Sequence, residues 1–239
     1  MKILALETSA KAVSVAAAED GALLASRFAN EGQTHSVTLM PMLQEMLREA
    51  DLTVGDMDLI AVTNGPGSFT GLRIGVSAAK GLAWALGLPC CGVSTLWAMA
   101  QNALDFEGLV IGAMDARRSQ IYNALFLCRD GQLRRLTPDR AIGLAELLPE
   151  LEEYGGLPKL ILGDGAALCY TYLSEQGVSC RTRPGESGLQ NARGVAAAAY
   201  EMAKNGQTVS AGALAPVYLR LSQAERERLA KGLPITLDQ

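Results

Sequence analysis

Two stretches of sequence decide the fold: ILALETSAKAVSVAAA at residues 3–18 and IGAMDARRSQIYNALF at residues 111–126. Each reads as an apolar strand that ends in an acid, Glu7 or Asp115, followed by a short polar turn and a second apolar strand. The two acids fall in the same register without a gap. Strand–turn–strand units are common, so one such match could arise by chance. A repeated unit is nevertheless the signature of an internal duplication, and the match predicts two related lobes.

The residues around the first stretch extend it to a complete α/β unit. Hydrophobic periodicity and turn residues predict strands at 2–7, 12–18, 22–29, 58–64 and 89–94, and helices at 36–50, 71–86 and 95–104. The order β-β-β-α-β-α-β-α is typical of a ribonuclease-H-like unit, a mixed sheet with helices on both faces. Two such units facing one another form the two-lobed architecture of actin, Hsp70 and sugar kinases (the ASKHA fold), in which nucleotide sits in the cleft.

The second half of the chain offers weaker signals. They predict a strand at 159–163, an Ala-rich helix at 192–204 and a closing segment, PVYLR, at 216–220. We therefore expect an N-terminal lobe at 1–104 and a C-terminal lobe at 105–205, with residues 206–239 returning to the first lobe.

Composition excludes several classes of protein. Hydrophobic residues make up 49% and charged residues 19% of the 239 residues, which indicates a globular chain, and the net charge of -4 argues against holding nucleic acid through its own field. Five cysteines without CxxC spacing read as reduced thiols. Glu7 and Lys11 interrupt the N-terminal apolar run too early for a signal peptide. Pro89 divides the charge-free stretch 81–104, which argues against a membrane span. We expect a cytoplasmic protein without a membrane segment.

The loop GPGSFTG at 65–71 is the most informative local motif. Glycines let backbone N–H groups approach a ligand, and a following helix offers its positive end to an anion. Gly65, Gly67, Ser68 and Thr70 are therefore candidate phosphate contacts. The loop lacks the GK[ST] of a Walker motif and the spacing of GxGxxG. The alternative is a tight strand-to-helix turn with Ser68 or Thr70 as the N-cap.

Other polar residues are weaker candidates. Glu7 lies where this architecture places a phosphate-facing acid, although an acid at a sheet end need have no catalytic duty. His35 is the only histidine, which excludes a zinc site with two histidines and favours a cap or surface role. Arg117 and Arg118 follow Asp115 in a turn, where they are either solvated charges or an anion contact in the cleft. The charged tail at 222–232 is expected to be solvated. No catalytic residue and no metal site are predicted.

Several motifs, in order along most of the chain, carry a family resemblance: ILALETSAKAVSVAA, HSVTLMPMLQEML, AVTNGPGSFTGLRIGVSAAKGLAWALGLPCCGVSTL, DARRSQIY and PVYLR. The chain resembles the TsaB (YeaZ) family, which is similar in fold to TsaD. TsaD transfers threonylcarbamoyl to the adenosine beside the anticodon of certain tRNAs. It carries an HxxxH metal pattern just after the strand that is CCGVS here, and Thr95 and Met99 stand at those two places. Glu7 departs from the aspartate that is more usual in the family.

The resemblance implies a non-catalytic subunit that binds TsaD and the ATPase TsaE, works alongside TsaC, and meets tRNA only through the complex. It leaves open ATP or ADP at the subunit junction and predicts no other cofactor. One alternative is a stand-alone nucleotide-dependent transferase or kinase of the same fold. Another is an inactive homologue of glycoprotease-like peptidases.

A partner surface is predicted on helices 36–50 and 71–86. The first helix carries adaptable methionines, and the second is rich in small residues that allow another helix to pack closely. The predicted interface residues, which would serve TsaD or a second copy of the chain, are Met40, Gln44, Leu47, Arg73, Ser77, Ala78 and Gly81. The alternative is that both stripes face their own sheet.

Overall fold

The first lobe is built on a five-stranded mixed sheet. The computed structural model describes residues 1–32, 34–221 and 228. The strands are β1 (Lys2–Glu7), β2 (Val13–Glu19), β3 (Ala22–Ala29), β4 (Leu59–Gly65) and β5 (Cys90–Ser94). They lie in the order β3-β2-β1-β4-β5; the β1–β2 and β2–β3 pairs are antiparallel, whereas β1–β4 and β4–β5 are parallel. Strand β1 is therefore central, and its carboxyl end lies in the middle of the sheet.

Helices α1 (His35–Glu49) and α2 (Phe69–Leu86) cover one face of this sheet. Leu39, Leu43 and Met46 recur at helical spacing on α1 and are at most 2% exposed. Burial of each such side chain stabilises the lobe by roughly 1.5–3 kcal/mol. The amphipathic pattern thus fixes which side of each helix faces the sheet and which side stays outside.

A second sheet repeats the order of the first. Its strands are β6 (Gly108–Asp115), β7 (Gln120–Arg129), β8 (Gln132–Arg135), β9 (Arg140–Gly143), β10 (Lys159–Leu162) and β11 (Arg181–Thr182). They lie in the order β11-β10-β6-β7-β8, and β9 also pairs with β7. The β6–β7 pair is antiparallel and the β6–β10 and β10–β11 pairs are parallel, as in the first sheet. The predicted duplication is confirmed, with Glu7 and Asp115 in equivalent places.

The remaining helices are α3 (Thr95–Ala100), α4 (Leu147–Glu152), α5 (Ala166–Glu175) and α6 (Ala192–Lys204). Helices α4 and α5 cover the outer face of the second sheet. Leu96 and Met99 of α3 pack into the core of the second sheet, and Val195 and Ala199 of α6 pack into that of the first. Helix α3 follows β5 and lies between the two sheets, with Ala98 in the core of the first, whereas α6 follows β11 and packs on the first sheet.

The division at residues 104 and 205 stays a prediction, but helix α6, which it assigns to the second lobe, packs on the first sheet. Helix α2 begins at Phe69 because the Ser68 hydroxyl accepts a hydrogen bond from the Gly71 amide at 3.3 Å, two residues before the predicted start. No strand forms at 216–220, and α3 ends at Ala100. The predicted solvated tail at 222–232 lies outside the described residues apart from Arg228. In the described ranges, no helix is long and apolar enough to cross a membrane.

Candidate functional site

Glu7 closes strand β1 inside the protein. Its side chain is 0% exposed, and its Oε1 atom accepts a hydrogen bond from the Ser9 backbone amide at 2.5 Å. Its Oε2 atom has no hydrogen-bond partner among the described residues, and neither do the buried hydroxyls of Ser9 and Thr63. Burial raises the pKa of Glu7 to about 7, and the hydrogen bond from the Ser9 amide, together with the nearby hydroxyls of Ser9 and Thr63, offsets this only in part. With a pKa near 7 the carboxyl group is only partly ionised at neutral pH, whereas magnesium prefers ionised oxygen ligands.

The GPGSFTG loop packs against the turn that follows β1. The Ser68 amide donates to the Ser9 carbonyl at 2.6 Å, and the Thr8 hydroxyl donates to the Gly71 carbonyl at 2.8 Å. A Cβ atom on Gly67 would lie 2.5 Å from the Ser9 carbonyl oxygen. Glycine at this position therefore allows two backbone segments of the same chain to approach closely.

The other candidate phosphate contacts lie at the two ends of this loop. Gly65 is buried beneath the Val217 carbonyl, where a side chain would overlap it, and Thr70 is exposed on the first turn of α2. The Ser68 hydroxyl caps α2, as the alternative interpretation of the loop predicts. The loop thus fits a tight turn that packs on its own chain, and its role in binding nucleotide stays a prediction.

A cleft of about 550 Å³ separates the carboxyl ends of the two sheets. Asp115, the last residue of β6, and Asp164, two residues after β10, line it. Asp164 Oδ1 accepts a hydrogen bond from Gln190 Nε2 at 2.9 Å, and desolvation within the cleft raises the pKa of Asp164. Asp115 Oδ1 accepts from the Arg117 amide at 2.7 Å. Both carboxylates therefore support local backbone or side-chain geometry in the cleft.

Cationic side chains lie around the mouth of the cleft. Lys11, Arg117 and Arg220 line it, and the Arg117 side chain is 78% exposed. Arg117, Arg118 and Ser119 all take left-handed backbone conformations, with φ of 66°, 57° and 57°. Of the two arginines predicted in this turn, Arg117 lines the cleft and Arg118 is exposed.

Residues 215–221, here called the C-terminal strap, cross from the first lobe to the second. The Val217 amide donates to the Asn64 carbonyl at 2.6 Å, and Asn64 Nδ2 donates to the Ala215 carbonyl at 3.2 Å. Beyond them, Arg220 Nη1 donates to the Ala116 carbonyl on the far side of the cleft. The strap thereby connects strand β4 to the turn after β6.

His35 and the two residues compared with the HxxxH pattern of TsaD, Thr95 and Met99, fit structural roles. His35 Nε2 lies 2.6 Å from the Ala10 carbonyl and joins the start of α1 to the turn after β1. Thr95 and Met99, at the places where TsaD carries histidines, are at most 1% exposed. Among the described residues, no three His, Cys, Asp or Glu side chains come together as a group that could hold a metal ion.

The predicted partner residues divide between the outside and the inside of the first lobe. Gln44, Arg73, Ser77 and Gly81 are exposed, whereas Met40 and Ala78 are half-buried. Leu47 is 5% exposed and belongs to the core under α1. It continues the stripe of Leu39 and Leu43 at four-residue steps, so its inclusion in a surface was wrong.

Sequence reasoning missed two side chains on the outside of these helices. Val37 on α1 is 67% exposed, and Trp84 on α2 is 74% exposed, three residues after Gly81. An exposed tryptophan beside a stripe of small residues is typical of the centre of a protein interface. The helical spacing of Trp84 from Ser77 and Gly81 is the signal that could have identified it.

Comparisons with known proteins give one family. The chain matches the family model described as "TsaD: tRNA N6-adenosine threonylcarbamoyltransferase" over residues 24–227. It is 35% identical over 225 residues to the tRNA threonylcarbamoyladenosine biosynthesis protein TsaB of Bacillus subtilis, covering 94% of this chain and 96% of that protein. The TsaB protein of Escherichia coli is 34% identical, with 92% of this chain and 95% of the relative covered.

Solved structures agree. YeaZ from Pseudomonas aeruginosa superposes with a TM-score of 0.73 at 28% identity, covering 91% of this chain and 99% of that one. Component A of (R)-2-hydroxyglutaryl-CoA dehydratase from Acidaminococcus fermentans superposes with a TM-score of 0.50 at 15% identity, over 85% and 99% of the two chains. The second likeness concerns the fold alone. The TsaB relatives and the YeaZ structure confirm the predicted family resemblance, and the two superpositions confirm the two-lobed ASKHA fold.

Proposed function

The chain belongs to the TsaB family, and from that premise we propose that it is a non-catalytic subunit that binds TsaD in tRNA threonylcarbamoyladenosine biosynthesis. The observation that carries the proposal is the outer face of α1 and α2. These helices bury one side against their sheet and leave exposed a stripe of Arg73, Ser77, Gly81 and Trp84. Small residues in such a stripe let a partner helix approach closely, and the tryptophan supplies a large apolar contact.

The residues at the ends of the sheets support a role without chemistry. Glu7 is buried and its pKa is raised to about 7, so that near neutral pH much of it is uncharged. Thr95 and Met99 stand where TsaD carries metal-binding histidines, and neither side chain replaces histidine as a ligand for iron or zinc. These features disfavour a stand-alone transferase or kinase and an active peptidase.

The same face serves a second copy of the chain when TsaD is absent. Such a homodimer would be isologous, so a single substitution acts twice across the two-fold axis. In this proposal TsaE and TsaC act with the TsaD complex, and tRNA is bound through that complex. The binding of ATP or ADP at the subunit junction stays a prediction, and so does the cytoplasmic location. The family membership supports these statements, and the exposed helices support the pairing with TsaD most directly.

The experiment combines the purified chain with its cognate TsaD and TsaE and measures threonylcarbamoyladenosine in tRNA, each protein alone and together. The informative variant is Gly81→Arg. A Cβ atom on Gly81 meets nothing within 4 Å, and replacing glycine on an exposed helix favours helix formation. The variant should melt at or above the temperature of the parent chain, yet lose TsaD binding, homodimer mass and tRNA modification.

The matched control is Ala167→Arg, at an exposed position of α5 on the second lobe. It adds the same side chain and should change none of these measurements. Full TsaD binding by Gly81→Arg would place the interface elsewhere and remove the physical basis of the proposal. Modification of tRNA, or ATP hydrolysis, by this chain alone would contradict the non-catalytic assignment.

A further inference from the structure

Arg73 occupies an unusual position at the start of the exposed stripe on α2. Its guanidinium carbon lies 4.1 Å from the centre of the Phe69 ring, and its Nε atom donates to the Tyr218 hydroxyl at 3.2 Å. The Phe69 and Tyr218 rings are themselves stacked, with centroids 4.6 Å apart and an angle of 26° between their planes. The three side chains therefore form a layered cluster at the surface.

The strap holds the outer layer of this cluster in place. Val217, next to Tyr218, is fixed to Asn64 by a backbone hydrogen bond of 2.6 Å, and its carbonyl packs over Gly65. Phe69 is fixed because it opens α2. The position of the Arg73 guanidinium is thus determined before any partner arrives, which lowers the entropy that docking must overcome.

The charge of Arg73 is not neutralised within the described chain. No carboxylate of the described residues lies within 4.0 Å of its guanidinium; the recorded contacts are a ring face and a phenol oxygen. Helix α2 contains Arg73 and Lys80 and no acidic residue, and Lys80 donates to the carbonyls of Gly212 and Leu214. Arginine presents five N–H donors in a planar fork that matches a carboxylate, and among the described residues only its Nε donor has a hydrogen-bond acceptor.

We propose that Arg73, held by Phe69 and Tyr218, is the receptor for an aspartate or glutamate of the protein that docks on α1 and α2. The inference rests on the proposed function, since Arg73 is the first member of the same exposed stripe, and it commits to TsaD as the donor of the acid. Stacked arginine and aromatic side chains are enriched where interfaces gain most of their free energy. Tyr218 belongs to the strap, which also reaches Ala116 across the cleft, so the contact at Arg73 is connected to the cleft through the strap.

The test measures the dissociation constant of the full-length chain with cognate TsaD at several salt concentrations. Arg73→Ala should weaken binding about tenfold or more and flatten its dependence on salt. Arg73→Lys should restore little affinity, because a lysine cannot form the planar two-point contact. Tyr218→Ala should give an intermediate loss, since it leaves the guanidinium charged but less well fixed. Arg134→Ala, which removes an exposed arginine from β8, should bind as the parent chain does.

Thermal melting separates a structural role from a docking role. If Arg73 merely clamped the strap, Arg73→Ala would lower the melting temperature and leave the salt dependence of binding unchanged, and the inference would be overturned. Unchanged TsaD affinity with loss of homodimer mass would assign the acid to a second copy and would also overturn it. If Arg73→Ala binds normally while Gly81→Arg does not, this inference fails and the proposed function stands; if both bind normally, the proposed function fails as well.

Discussion

Replacing Glu7 with glutamine tests whether the acid at the end of β1 is neutral in the folded protein. Its pKa is raised to about 7, from an ordinary value of 4.5, because the group is buried. Between these two pH values the folded state holds a proton that the unfolded state has lost. Stability from this group is therefore fully present below pH 4.5 and is lost as the pH rises through 7, by roughly 3 kcal/mol in total.

Glutamine resembles the protonated acid, because its amide can accept from the Ser9 amide and donate where the acid carries its proton. Near pH 5, Glu7→Gln should be close to the parent chain, and by pH 8 it should be more stable by roughly 2–3 kcal/mol. Urea unfolding at pH 5, 6, 7 and 8 measures the difference. A difference that is flat across this range, or a variant that is less stable at pH 8, would refute the argument. The second result would mean that the folded protein stabilises the ionised carboxylate.

Three further predictions follow from other parts of the structure. Gly67→Ala should lower the free energy of unfolding by roughly 1–3 kcal/mol, because its Cβ would lie 2.5 Å from the Ser9 carbonyl; urea unfolding without a measurable loss would contradict this packing. Elemental analysis of the purified chain should find well under one iron or zinc per molecule, and a stoichiometric metal would show a site that its scattered ligands do not suggest. The isolated chain, with a net charge of -4, should bind tRNA only weakly and in a salt-sensitive way, so submicromolar filter binding at physiological salt would count against it.

Most of the fold could be predicted because its strands and helices show local patterns that can be identified from neighbouring residues alone. Alternating and continuous apolar runs marked the strands, and the equal placement of Glu7 and Asp115 showed the duplication, since both acids end the central strand of a sheet. The packing of α6 on the first sheet left no such signal. An Ala-rich stripe such as that of α6 fits either sheet, and only packing decides which one it covers.

The candidate site was predicted less well because its geometry depends on residues far apart in sequence. The sequence cannot distinguish a loop glycine that faces a phosphate from one that faces another segment of the chain. Here Gly65 faces Val217 and Gly67 faces Ser9. On α1, Gln44 and Leu47 are three residues apart and lie on adjoining faces, so small errors in the phase of the stripe move a residue from the surface to the core. The sequence predicted only a closing segment at 216–220, and its hydrogen bonds go to separate partners on both lobes.

The distribution of satisfied and unsatisfied polar groups argues for where this protein meets other molecules. At the end of β1, Ser9 and Ser68 direct backbone groups toward one another, and Glu7 lies behind them without exposure to the cleft. A ligand that used those groups would first have to displace bonds within the chain. On the outside of α2 the situation is reversed, because Arg73 keeps donors that no described carboxylate takes and Trp84 keeps most of its surface in water. Groups that a folded chain leaves unpaired but holds in place are the ones a partner can use at least cost, so we expect a partner to dock on the helix face and not on the loop.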